Sequence, residues 1–354
     1  MKPVVFAGHS RPIKDIQFNF EDDLLFTASN DRYVTLWSTE TNERIGTYYH
    51  DAAINCMTVT PDSKYLVTGD NSGYIYIWDV NTGKALNVIE SGYPSPTSSL
   101  DLGVSDRQIC VSFNCRSKSD RSKVLIFDIE EALKLKTEVN PETKQPMSLL
   151  KSIPLLNSFE SNTDHKIVIS RFLNSNKNVL CAFDNGLVEV RKVGGEILNS
   201  KKLHSNLIKD LNLSFREELA LTSSKDGQSI LFDPETLDIL NVFKPDNPVR
   251  NINAGKISPL FNPDLPEKNQ LRHCFIGGGQ DSKDVTFTKS TEGGFEILIY
   301  DMITGEEVGS ISGHFSPINA LAISNSGKII VSGGEEATVR LHTLSEDYYQ
   351  LKNN

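Results

Sequence analysis

Residues 275–289, FIGGGQDSKDVTFTK, hold the most suggestive chemistry in this sequence: three glycines followed by Gln280, Asp281, Ser282 and Lys283. Backbone amides opened by glycine, with a lysine close behind, are the ingredients of a phosphate cradle. The segment fits neither G-x-x-x-x-G-K-[ST] nor G-x-G-x-x-G, no helical pattern follows it, and DVTFTK alternates as a strand does. The reading is therefore structural. Phe275 to Gly277 are expected to end a second strand, with Val285 to Lys289 in an elongated connection beyond it. The glycines then serve turning and close packing.

Histidine and aspartate could also do acid–base or metal chemistry, and the chain has 7 His and 46 Asp plus Glu. There is no H-E-x-x-H, no defensible carboxylate pair and no C-x-x-C among Cys56, Cys110, Cys115, Cys181 and Cys274. The expectation is no catalytic residue, no metal and no cofactor, with reduced and mostly buried thiols.

The histidines instead fall on a ruler. His9, His50, His204 and His314 are each followed four residues later by isoleucine (Ile13, Ile54, Ile208, Ile318) and then by alternating apolar residues, the period of a half-buried strand. Twenty-eight residues beyond them stand Trp37, Trp78, Phe232 and His342. Three weaker units end at Phe127, Arg191 and Tyr300, with Thr163 in the histidine place of the fourth. Seven units of four short strands emerge.

Units of this kind, with GH at one end and WD at the other, resemble the WD-repeat β-propeller family. The resemblance implies an all-β, seven-bladed ring made by the whole chain, 1–354, as a single domain. Insertions fall near 115–123, 130–146 and 256–295. One blade cannot bury both its faces, so neighbours must stack. The family closes its ring with an N-terminal strand in the last blade, and Val4 to Phe6 are expected beside VRLHTL. It also implies a hydrogen-bonded network within blades, here His9, Ser29, Asp31 and Trp37. Partial versions use His50 with Trp78, His204 with Asp226, and His314; Ser72, Asn185 and Glu336 replace the turn aspartate elsewhere.

GGGQ-x-x-KDVT (277–286), GHF (313–315) and SGGEE (332–336), with the opening GHSRPIKDIQFNFEDDLLFTASNDRYVTLW, resemble the i-subunit family of eukaryotic translation initiation factor 3 more than generic propellers. The resemblance implies a non-catalytic cytoplasmic scaffold. It would dock the helical C-terminal segment of the b subunit and bind the g subunit, meeting the small ribosomal subunit through the complex. The competing reading is a receptor-associated signalling or assembly scaffold, which the GGGQ segment disfavours. A net charge of −10 argues against free-standing nucleic-acid binding and suits a basic partner segment. Asp210, Asp226 and Gln280 are the candidate contacts, the two aspartates as exposed carboxylates. No apolar run is long enough for a signal peptide or membrane span. Arg116, Lys118, Arg121 and Lys123 form a basic loop in blade 3, and 130–146 is placed between blades 3 and 4 without a role.

Overall fold

The computed structural model describes residues 3–92, 95–103, 107–114, 121–135, 138–139, 146–149, 152–245, 251–261, 271–280 and 294–349. They form seven sheets, each built on four antiparallel strands. Blade 1 is typical: inner strand Ile13–Phe18, then Leu24–Ser29, Tyr33–Ser38 and outer strand Arg44–Tyr49. The two middle strands are buried almost throughout, whereas the outer one faces solvent along most of its length, with Tyr48 alone buried.

Seven buried apolar clusters hold the sheets, and each bridges two neighbours. Ile54 and Tyr76 join Phe26 and Val34 between blades 1 and 2, and Phe159 joins Phe172 and Val179 between blades 3 and 4. The cluster of Phe6, Val331 and Val339 with Ile13, Leu25 and Trp37 joins blade 7 to blade 1, so the ring is closed. Val4–Phe6 is the outer strand of blade 7, in register Val4↔Leu341, Val5↔Arg340 and Phe6↔Val339, as the sequence led us to expect.

Each inner strand carries a bulge at the same step against its second strand, between Ile13 and Asp15 in blade 1 and between Ile318 and Ala320 in blade 7. A bulge re-aims the extra residue. In three blades that residue ties to the next: Asn55 Nδ2 donates to the Thr97 carbonyl, Ser98 Oγ to Ile167 and Asn253 Nδ2 to Ile318.

The 130–146 insertion departs from expectation. It lies within blade 3, between strands Lys123–Asp128 and Leu155–Glu160, and not between blades. Ile129–Lys134 is a short helix capped by Asp128, which accepts the Glu130 and Glu131 N–H groups. The chain then crosses to blade 2, where Pro146–Leu149 runs parallel to outer strand Ala85–Glu90 and Glu138–Val139 pairs outside it. Met147 packs on the blade 1–2 core and Asn87 Nδ2 donates to the Ala132 carbonyl. These contacts decide the position, and local patterning carries no trace of them. In the basic loop, 115–120 lie outside the described residues. Lys123 opens the third strand, with its Nζ 2.8 Å from Glu160.

Candidate functional site

The ruler histidines form relays. His9 Nδ1 lies 2.9 Å from Asp31 Oδ2 and its Nε2 2.8 Å from Thr27 Oγ1, which also accepts from Trp37 Nε1 at 2.9 Å. Thr27 therefore takes the place expected for Ser29. The two hydroxyls share a strand face, but Thr27 pairs across from Thr35, within reach of the indole. Ser29 sits at the strand end, where its Oγ donates to the Arg11 carbonyl and accepts from the Asp31 N–H. The other three ruler histidines repeat the choice: His50 meets Thr68, His204 meets Thr222 and His314 meets Ser332, each hydroxyl eighteen residues on. The signal was in the sequence, since all four positions carry Ser or Thr, while twenty residues on they are Ser29, Asp70, Ser224 and Gly334.

A carboxylate on Nδ1 and a hydroxyl on Nε2 is the connectivity of a hydrolase triad, and blades 1, 5 and 7 all have it, through Asp31, Asp226 and Glu336. The hydroxyls of Thr27, Thr222 and Ser332 are wholly buried, so no substrate can reach them. What the relays do is brace. Burial alone would raise the Asp31 carboxyl, but hydrogen bonds from His9 and from the Ser10 and Tyr33 amides outweigh it and hold it below the ordinary value. Burial likewise opposes Glu336, yet His314 and Ser316 pull it down to about 2. Satisfied buried networks of this type rigidify a sheet.

Blade 2 is the incomplete case. Trp78 Nε1 donates to Thr68, and the His50 ring packs tilted against Tyr76, centroids 4.1 Å apart, but Ser72 holds the turn position and His50 Nδ1 has no hydrogen-bond partner among the described residues. Burial pushes His50 down to about 3, so it is neutral. Asp70 occupies the slot of Ser29. Its Oδ1 accepts from Ser72 and Tyr74, while Oδ2 is buried with no partner. Burial raises Asp70 from 3.8 to about 6. A carboxyl raised by folding favours the native state below the unfolded pKa and loses that contribution as pH climbs past the folded one. Asp70→Asn keeps the acceptor, removes the charge and offers a donor where Ser29 and Ser224 donate. It is expected to stabilise the protein by about 1–3 kcal/mol at pH 7.5 and by almost nothing near pH 4. Urea unfolding of both proteins at the two pH values measures this.

The glycine segment is a packing device. Strand His273–Gly279 runs through all three glycines. A Cβ on Gly278 would lie 2.0 Å from the Asn251 carbonyl oxygen. Gly279, at φ +142°, would put one 2.4 Å from the Phe295 ring. Lys283 to Thr286 and the expected strand at 285–289 lie outside the described residues.

The three candidate contacts need correction. Asp226 is not an exposed carboxylate: its side chain is 8% exposed, 3.0 Å from His204 Nδ1, and accepts from the Ser205 and Gln228 amides. Asp210 is 15% exposed, with Lys256 Nζ at 3.0 Å, and accepts the Gly255 N–H from blade 6. Gln280 is buried. Each lies where a polar group in a tight ring finds a partner, a tertiary fact that spacing does not carry. Cys56, Cys110, Cys181 and Cys274 are free and buried, and burial pushes Cys110 up to about 12. Cys115 lies outside the described residues. Among the described residues no helix is long and apolar enough to cross a membrane, and no three His, Cys, Asp or Glu group as a metal site.

A family model described as EIF3I matches residues 1–354. Three relatives described as "Eukaryotic translation initiation factor 3 subunit I" align over 354 residues, covering 99% of this chain and 99% of each relative. Those from Xenopus tropicalis and Drosophila grimshawi are 31% identical, and that from Homo sapiens 30%. Among solved structures, the Myceliophteria_thermophila Cps50 (Swd1) β-propeller domain is similar at a TM-score of 0.72, with 15% identity over 97% of this chain and 100% of that one. At that identity the likeness concerns fold alone.

Proposed function

This chain belongs to the family of subunit I of eukaryotic translation initiation factor 3, and we propose that it serves translation initiation as a scaffold subunit of that factor. It acts in the cytoplasm, as one propeller domain, without catalysis of its own. Its partners are the b subunit, through a helical C-terminal segment, and the g subunit. It meets the small ribosomal subunit through the complex and reads no nucleic-acid sequence directly. The full-length family match carries this reading. The burial of the relay hydroxyls and the acidic balance of the chain support it.

For the b subunit's basic contact we retain the sector of blades 5 and 6, with changed roles. Asp226 supplies negative potential from beneath exposed Ser205 and Asn206, while Lys256 neutralises Asp210. Reversing charge at the two aspartates would strike the fold, so the docking test belongs on the rim. Affinity purification of the tagged chain from its own cells should recover other subunits of the factor. Signalling or splicing proteins in their place would overturn the reading. Asn206→Arg should leave the thermal midpoint unchanged and weaken recovery of the b subunit by about tenfold. Undiminished recovery would remove blades 5 and 6 as the docking sector.

A further inference from the structure

The hairpins joining inner to second strands surround one mouth of the central channel, opposite the turns that hold Asp31 and Asp226. A cavity of about 400 Å³ opens there, walled by inner strands of all seven blades. On one side it shares Ser214 and Phe215 with a cavity of about 230 Å³ that runs toward Phe261. On the other it shares Gln17, Phe18, Asp101 and Leu102 with one of about 310 Å³ that runs beneath Phe20. The three are one trough across the mouth. Two exposed aromatic rings stand along it, Phe215 at 86% where the central cavity meets that of about 230 Å³, and Phe20 at 59% beside that of about 310 Å³. Single exposed apolar residues are commonplace, but two phenylalanines along one continuous groove are not scattered.

The middle of the trough is charged. Asp15, Asp101 and Glu217 line it with Arg171 and Lys256. Lys256 is engaged by Asp210. Four carboxylates thus stand against two cations, and two negative charges are left over. Arg171 spends its guanidinium on the carbonyls of Leu100, Ser170 and Leu211 and, among the described residues, makes no hydrogen bond to a carboxylate. Asp15 accepts the Ile16 and Met57 amides, and Asp101 accepts the Phe172 amide. Burial raises both carboxyls to about 6, outweighing the amide hydrogen bonds and the attraction of Arg171, which acts on both, and of Lys256, which acts on Asp15. A guanidinium or ammonium brought to them would replace the missing partner and gain from the low dielectric of the channel.

We propose that this trough binds an extended segment of a protein partner, with one Arg or Lys side chain seated against Asp15 and Asp101 and apolar side chains resting on Phe20 and Phe215. The rings bury the segment's apolar side chains, and the carboxylates fix its register. The surface lies at the opposite mouth from the rim of Asn206, so it is independent of the docking sector proposed above.

The test places the photo-crosslinking residue benzoyl-phenylalanine at position 215 of the full chain in its own cells, followed by mass spectrometry of the crosslinked peptides. The expected result is one recurrent protein segment with a Lys or Arg beside the crosslink. Asp15→Asn together with Asp101→Asn keeps the acceptors for Met57 and Phe172 and should lower the yield by about tenfold. Phe20→Ser, a change at an exposed position, should lower it roughly threefold. A thermal midpoint checks the fold of each variant. Absence of protein crosslinks, crosslinks to RNA, a segment without a basic residue, or a yield indifferent to both sets of variants would each overturn the proposal. Loss of the other factor subunits in purification, with this crosslink intact, would overturn only the assignment to translation.

Discussion

Glu189→Ala is expected to cost about 3–5 kcal/mol, because it leaves a buried arginine without its counter-charge. Arg191 stands where blades 1 and 2 have Trp37 and Trp78, and its side chain has no exposure. Its Nε and Nη2 lie 2.8 and 2.6 Å from Glu189 Oε2, its Nη1 donates to the Glu160 and Gly195 carbonyls, and the guanidinium sits 5.5 Å from the Phe159 ring of blade 3. Every polar atom of the pair is tied, which makes the pair tolerable in a core. Removing the acid strands the cation. Replacing both, as Glu189→Val with Arg191→Phe, should come within about 1–2 kcal/mol of the natural protein or exceed it, since a packed apolar pair avoids the desolvation cost. Urea unfolding of the single and double variants decides the matter. A single variant within about 1 kcal/mol of wild type would show that the pair is not what holds blade 4 against blade 3.

Phe6→Ala is expected to cost about as much, roughly 3–5 kcal/mol, through a different route. Phe6 is buried against Trp37, ring centroids 5.0 Å apart, at the end of the three-residue strand that joins blade 7 to blade 1. In most cores a cavity weakens one cluster. Here the cluster is also the clasp of the ring, with only Val4 and Val5 left to hold the strand. Amide exchange at Val339 and Leu341, the partners of the lost strand, should therefore rise before exchange elsewhere in the ring. A midpoint unchanged by the substitution, or exchange that rises evenly in all blades, would refute the clasp.

Much of this architecture was legible in the chain. The four histidine-to-aromatic intervals located blades 1, 2, 5 and 7 through their periodicity, and the family resemblance located the closing strand at Val4 to Phe6. Departures arose where the answer lay in three dimensions. Thr27 and Ser29 are two residues apart on one face, and only the cross-strand register separates them, although four hydroxyls at one spacing gave the clue. Asp210 was read as exposed because its partner Lys256 comes from the next blade, 46 residues away. The trough at the channel mouth gathers residues from all seven repeats, and no one repeat displays it.

The hairpin that the third blade sends across to the second has a further consequence. Seven similar blades offer an approaching partner seven almost equivalent rotational settings, and the fold by itself gives no zero angle. Among the described residues the outer strands of six blades end their sheets, whereas blade 2 alone continues, through Pro146–Leu149, to six strands. One edge is thereby closed to strand addition and made unlike the others. The ring acquires an index mark, set by the chain itself, from which every other blade can be counted.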